Sequence, residues 1–252
     1  MLNGKTILVA GAAGFLGRTL CQALLDNGAS VVAADIETQN LKLTFSDSEG
    51  LLLPGLSLHQ VDFNVPSQVE SLFERYPKLT GAVNCTYPRH PSYGRHFFDV
   101  TLDSFNENVQ AHLGVAFLFA QQSAKHFKMN QQPFSLVNLS SIYGVVAPDF
   151  DIYQQTTMTM PVEYAAIKSA IIQLSRYVTS YIGHSDFRVN VVSPGGLFDH
   201  QPANFLDKYK ARTLGHGMLD PKDICGAILF LLSDQSKYMQ GQNLIVDDGF
   251  TL

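Results

Sequence analysis

The sequence predicts an α/β protein: one domain over residues 1–252, built on a doubly wound, seven-stranded parallel sheet with helices on both faces. Three observations predict it. Short β-branched apolar runs alternate with longer stretches of helical period, which marks successive βαβ units. The runs do not alternate between apolar and polar, as in Val31-Val32-Ala33-Ala34, so the strands are covered on both sides. No linker, low-complexity tract or internal repeat divides the chain.

In chain order, strands are expected at Thr6–Ala10, 30–34, 56–61, Gly81–Asn84, Phe134–Leu139, 188–192 and Asn243–Val246. Helices are expected over 18–27, 67–76, 102–129, 161–183 and 221–233. Pro161 suits a first helical turn, and Pro221 preceded by Asp220 repeats that signal at the last helix. Two connections are too long for a minimal βαβ chain: 38–55, and a polar, Met- and Tyr-bearing insertion at 145–162. Segments of that length act as lids or binding loops.

Composition narrows the function. Hydrophobic residues make up 46% of the chain and charged residues 15%, enough apolar matter for a sizeable core. Seventeen Lys and Arg against 22 Asp and Glu leave a net charge of −5, which argues against a nucleic-acid partner. No apolar run reaches the ~18 residues a membrane helix needs. The start, MLNGKTILVAGAAG, does not read as a secretory leader, so a cytoplasmic location is expected. Cys21, Cys85 and Cys225 contain no CxxC, and the histidines form no HxxxH or HExxH, so neither disulfides nor a metal are expected.

Gly11-x-x-Gly14-x-x-Gly17 follows the first strand and opens a helix, the context of a Rossmann-type dinucleotide site. Glycines allow the tight turn and the close approach of backbone to a pyrophosphate, and the helix start supplies free N–H groups. Asp35 ends the second strand, where a carboxylate can accept both adenosine ribose hydroxyls and would repel the extra phosphate of NADP. NAD(H) is therefore expected over NADP(H). Asp62, with the Phe63 backbone, either meets the adenine amino group or is a plain loop carboxylate.

Tyr164-Ala-Ala-Ile-Lys168 puts a phenol and an ammonium one turn apart on a helix face. The ammonium favours phenolate, which makes Tyr164 a candidate acid–base group. Asn138-Leu-Ser140-Ser141 ends the fifth strand, on the sheet edge where ligands of open α/β folds bind.

With GAAGFLG, Asp35, SS before YAAIK, Asn190-Val-Val-Ser-Pro194-Gly195 and the terminal GQNLIVDDG, the chain resembles the short-chain dehydrogenase/reductase family over its whole length. The resemblance implies that Ser141 orients the substrate oxygen, Tyr164 transfers the proton, and Lys168 binds the nicotinamide ribose and tunes Tyr164. It implies further cofactor contacts at Phe15, Leu16, Ile36 and Asn84, with Pro194, Gly195 and Leu197 at the carboxamide. It also implies a homodimer or homotetramer built on the helices 102–129 and 161–183.

Four departures from the family pattern stand out. NNAG is replaced by Asn84-Cys85-Thr86-Tyr87. Counted from Phe105, the helical Asn of the proton relay falls on His112, with Asn108 one turn earlier. His112 is either a relay element or a buried structural histidine. Asp199 replaces a Thr after the Pro-Gly turn, and 23 residues separate Ser141 from Tyr164, longer than the family's usual gap.

As a set, NCTYPR, YGRHFFDV, SSIYGVVAPDF, MPVEYAAIK and SPGGLFDHQP resemble the flagellin-modification group of these dehydrogenases, which accompanies pathways to nonulosonic acids. The implied substrate is a phosphorylated, nucleotide-activated or nonulosonic sugar, a small anion. Arg89, Tyr93, Arg95 and His96 form a basic, aromatic loop after the fourth strand. Arg89 and Arg95 are candidate anion ligands, or else members of a solvated loop. Tyr143 joins Ser141 as a substrate-binding candidate, Phe97 and Phe98 are expected to pack, and Met158 and Met160 are expected to serve lid packing. Two other readings stand beside this one: a general polyol or alcohol dehydrogenase, and a catalytically silent NAD-binding partner subunit.

Overall fold

The computed structural model describes every residue except Asp47. Seven strands, β1 (Thr6–Ala10), β2 (Ser30–Asp35), β3 (Leu56–Gln60), β4 (Gly81–Asn84), β5 (Phe134–Leu139), β6 (Phe187–Pro194) and β7 (Asn243–Val246), form one sheet in the order β3-β2-β1-β4-β5-β6-β7. Every pairing is parallel. Among the described residues seven α-helices accompany them: α1 (Phe15–Asp26), α2 (Gln39–Thr44), α3 (Pro66–Arg75), α4 (Leu102–Asn130), α5 (Val162–Ile182), α6 (Ala203–Lys210) and α7 (Pro221–Leu232).

The strands divide their side chains between two cores. Ile7, Val9, Val31 and Ala33 point to one, with Leu20 and Leu24 of α1 and Ile224 and Ile228 of α7. Leu8, Ala10, Val32 and Ala34 point to the other, with Leu72 and Phe73 of α3 and Phe119 and Phe127 of α4. Apolar side chains must therefore occupy both phases of the strand period, which is why the strand sequences show no alternation. Ala116, Ile167 and Ile171 join α4 to α5.

Local signals place the helix ends. Asp220 caps α7 in a reciprocal capping box with Asp223, and Thr101 accepts the Ser104 N–H at the start of α4. Pro161 precedes the first turn of α5 as its cap, and the helix ends at Gly183 in the left-handed conformation (φ 59°). The two helices absent from the sequence reading, α2 and α6, have only 6 and 8 residues. Each shows itself by one apolar pair a turn apart, Leu41 with Phe45 and Phe205 with Tyr209.

The strand order reverses between β1 and β4, and there the connections from their carboxyl ends leave in opposite directions and open a cleft. Far from it, buried Arg188 of β6 closes the carboxyl end of α7. Its Nη1 donates to the carbonyls of Leu231 (2.9 Å) and Ser236 (3.0 Å) and to Ser236 Oγ, and its Nη2 donates to the Ser233 carbonyl (3.2 Å). Replacing Arg188 by Met strands these acceptors and removes a cation from a helix C-terminus. The expected loss is about 3 kcal/mol of unfolding free energy, read from the denaturant midpoint; a loss below about 1 kcal/mol would show that water replaces the guanidinium.

Candidate active site

The cleft, about 1130 Å³, runs across the carboxyl ends of β1, β2, β4, β5 and β6. At one end Gly11, Gly14, Phe15, Leu16 and Gly17 form its floor. Gly11 is at φ +75°, and a Cβ there would stand 2.7 Å from the Cys85 carbonyl oxygen, so only glycine lets β1 turn against the end of β4. Gly14 precedes α1 without any side-chain cap, so the first-turn N–H groups are left for a ligand. Asp35 Oδ2 accepts the Ala13 N–H at 2.8 Å and Oδ1 accepts the Glu37 N–H at 3.1 Å, which ties the glycine turn to β2. Asp35, Ile36, Glu37, Asp62 and Phe63 complete this end. An open cradle of backbone donors next to carboxylates that can accept ribose hydroxyls fits a dinucleotide.

At the other end Ser141, Tyr164 and Lys168 converge. The Ser141 hydroxyl neighbours the Tyr164 phenol and accepts the Tyr143 N–H at 3.2 Å. Lys168 Nζ donates to the Leu139 carbonyl at 3.0 Å and lies 5.5 Å from the Tyr164 ring centre and 5.6 Å from that of Tyr87. Ser140 Oγ donates to the Lys168 carbonyl at 2.7 Å and locks α5 onto β5. Burial pushes the Tyr164 phenol above its ordinary range, and the Ser141 hydroxyl pulls it partly back. Burial brings the Lys168 ammonium down to about 8.

Two walls flank this centre. One is the β4–α4 loop, where Tyr87 bonds Tyr93 through their hydroxyls at 2.5 Å and carries the Arg89 guanidinium over its ring at 5.1 Å. The other is a cap made of the 145–162 insertion and α6. Ile152, Tyr153, Phe205 and Tyr209 give it a small core of its own, joined by Met158, Met160, Met218 and Phe250. Arg212 pairs with Asp149 at 2.7 Å, and Lys208 Nζ donates to the carbonyls of Asp151 (3.2 Å) and Gln154 (2.9 Å). The insertion is thus an anchored roof. Met158 and Met160 both pack in it and line the cleft.

Pro194, Gly195, Leu197 and Tyr143 line the cleft as the sequence predicts, and so do Arg89, Asp62 and Phe63. Three candidates do not. Asn84 is buried, its Oδ1 accepting both the N–H (3.2 Å) and the hydroxyl (2.7 Å) of Thr86; it holds the turn while Cys85, Thr86 and Tyr87 face the cleft. Arg95 is exposed and lies off the cleft wall. His112 is buried edge-on to the Tyr87 ring (5.3 Å) and does not reach the cleft; burial and the nearby Lys168 charge hold its imidazole well below the usual range, so it is neutral. Asn108 is committed elsewhere, accepting the His90 N–H (3.0 Å) and donating to the Ser104 carbonyl (2.9 Å). Phe97 and Phe98 do not pack in either core: they are 66% and 96% exposed on a 3-10 turn at the loop tip. Sequence reasoning missed the cap residues Phe205, Tyr209 and Met218, of which the first two were signalled by the apolar spacing in α6, while Tyr153 lies in the insertion read as a lid.

Residues 11–251 match the family model described as enoyl-(acyl carrier protein) reductase. The chain is 37% identical over 257 residues to the post-translational flagellin modification protein A of Campylobacter coli, covering 100% of both chains. The chain belongs to the short-chain dehydrogenase/reductase family. It is also 26% identical to L-rhamnose-1-dehydrogenase of Scheffersomyces stipitis, over 99% of this chain and 96% of that one. Among solved structures, a short-chain dehydrogenase from Leptospira borgpetersenii with bound NAD+ superposes with a TM-score of 0.87 at 29% identity, covering 100% of this chain and 94% of that chain.

In this dehydrogenase, folding lowers the Lys168 pKa from 10.5 to about 8, so the unfolded chain binds that proton more tightly. The residue's contribution to stability is therefore smallest below pH 8 and rises as pH climbs from about 8 toward 10.5. Wild type is expected to gain stability relative to Lys168→Met between pH 7 and 10, measured as the difference in unfolding free energy. A difference that stays constant across that range would place the Lys168 pKa at its ordinary value.

Proposed function

We propose that this oxidoreductase uses NAD(H) and acts between a secondary alcohol and its ketone on an anionic sugar: phosphorylated, nucleotide-activated or nonulosonic. The convergence of Ser141, Tyr164 and Lys168 at the cleft end opposite the glycine turn carries this reading. Arg89 on the adjoining wall supplies the cation for an anionic substrate. The flagellin-modification relative and the rhamnose dehydrogenase support a sugar.

Bound in the cleft, the nicotinamide supplies the hydride donor or acceptor. Ser141 donates a hydrogen bond to the substrate oxygen and holds it at Tyr164. In the oxidative direction the Tyr164 phenolate takes the hydroxyl proton as the carbonyl forms; in the reductive direction the phenol returns it. Lys168 stabilises the phenolate by its charge and lies where the nicotinamide ribose would reach its remaining N–H groups. Leu139 fixes the ammonium, and the buried environment strengthens its field at Tyr164.

At the adenosine end the charged lining residues are Asp35, Glu37 and Asp62, with no Lys or Arg among the described residues there. This supports NAD(H) over NADP(H), because the extra phosphate would meet carboxylates alone. Exposed Phe117, Tyr177 and Tyr181 on α4 and α5 suit a homodimer or homotetramer, whereas Ala116, Ala120, Ile171 and Ser175 are buried within the protomer. No helix among the described residues is long and apolar enough to cross a membrane, and a cytoplasmic location is part of the proposal. The aromatic and thioether cap favours a second reading, a less selective alcohol dehydrogenase.

NADH absorbance against sugar phosphates, nucleotide sugars and nonulosonates, with simple polyols beside them, tests the proposal. Turnover is expected on the anionic sugars; turnover confined to polyols would select the second reading. Tyr164→Phe should lower kcat by at least ~100-fold with NAD binding retained, and substantial residual turnover would remove Tyr164 as the acid–base. Asp35→Asn keeps an acceptor for Ala13 while deleting the charge, so the ratio of NADP to NAD dissociation constants should fall by roughly tenfold; an unchanged ratio would contradict the ribose assignment.

A further inference from the structure

The reacting centre lies between walls of unlike chemistry. The β4–α4 wall offers a guanidinium and phenol hydroxyls, from Arg89, Tyr87 and Tyr93. The cap wall offers Met158, Met160, Met218, Tyr153, Phe205 and Tyr209. The two phenol hydroxyls on that side each have a protein partner, as those of Tyr87 and Tyr93 do. Tyr209 accepts the Gly196 N–H at 2.6 Å, and Tyr153 donates to Tyr143 at 3.3 Å. Thr157 and Thr159 line this side as well, and what the Met, Phe and Tyr side chains add between them is mainly carbon and sulfur.

This apolar face reaches the chemistry directly. Tyr143, which bonds Tyr153, also donates its N–H to Ser141 Oγ, and its ring meets Phe250 edge-on at 6.1 Å. Phe250 in turn stacks on Tyr209 at 4.7 Å. The Arg212–Asp149 pair and the Lys208 bonds tie the insertion to the α6 segment. Three thioethers add adaptability, because Met adjusts its rotamers to a group of irregular shape.

We propose that the cap is a subsite for a short apolar substituent of the substrate, an acyl or alkyl group. The substrate is then two-sided: its anionic group lies toward Arg89 and its apolar group under the cap, on opposite sides of the carbon that reacts. This rests on the reading of the cleft as the site of an anionic sugar, and it adds the demand that the sugar carry such a group. A sugar bearing only hydroxyls would leave the thioether face uncovered.

The test is a titration of the NADH-bound protein, followed by cofactor fluorescence, with UDP-glucose, UDP-N-acetylglucosamine and its N-propanoyl homologue. Affinity is expected to rise along the series, by roughly fourfold for the one methylene added from N-acetyl to N-propanoyl. Met158→Gln with Met218→Gln should flatten the series, whereas Met158→Leu with Met218→Leu should preserve it. Arg89→Ala should weaken all three equally and leave the slope intact. A flat series in the wild type, a slope that survives the glutamine pair, or no binding of either acylated sugar overturns the subsite. If Arg89→Ala changes nothing while the slope persists, the anionic reading fails and the apolar subsite stands.

Discussion

The ammonium of Lys168 is kept from water by the Leu139 carbonyl and by the ring faces of Tyr87 and Tyr164, and the catalytic end is arranged around the cost of holding a cation there. Each of its supports comes from a different part of the sheet. Leu139 ends β5, Tyr164 lies one turn earlier on α5, and Tyr87 comes from the turn after β4. Ser140 secures the arrangement by bonding the Lys168 carbonyl, so strand and helix cannot slide past each other without unseating the charge. The same charge contributes to keeping His112 neutral.

The departures from the family pattern become coherent once the neighbouring chain is in place. Tyr87 occupies a position beside Lys168 that a glycine-ended turn would leave open, and it meets Tyr164 (5.8 Å), Tyr93 (5.9 Å) and His112 (5.3 Å) edge-on. Asn108 anchors the β4–α4 loop through the His90 N–H, one residue from Arg89. The long insertion finds its apolar partners in α6 and in Phe250 near the carboxyl terminus, and together they close the cleft opposite that loop.

The two halves of the cleft differ in charge as well as in shape. Asp35, Glu37 and Asp62 border the end beneath the glycine turn, and Asp35 also serves as the bracket that holds Ala13 in that turn. A carboxylate that both shapes the backbone and faces the ligand couples the geometry of the cradle to its electrostatics.

Strand positions, the glycine turn, Asp35 and the Tyr164–Lys168 pair follow from the sequence alone, because each depends on short-range rules: β-branched runs, a tight turn, or two groups one helical turn apart; Ser141, 23 positions before Tyr164, joins the pair through the family resemblance. Four of the seven strands begin and end where their apolar runs do, and three of them, β1, β4 and β5, are buried on both faces. The tertiary structure decided what depends on partners distant in the chain. Asn84 bonds within its own turn and leaves the cleft, Arg95 is carried outward while Arg89 stays, and Phe97 and Phe98 sit on a loop tip beyond both cores. Met158 and Met160 acquire a role only because α6, some fifty residues later, folds against them; helices as short as α6 are marginal by propensity and exist through such packing.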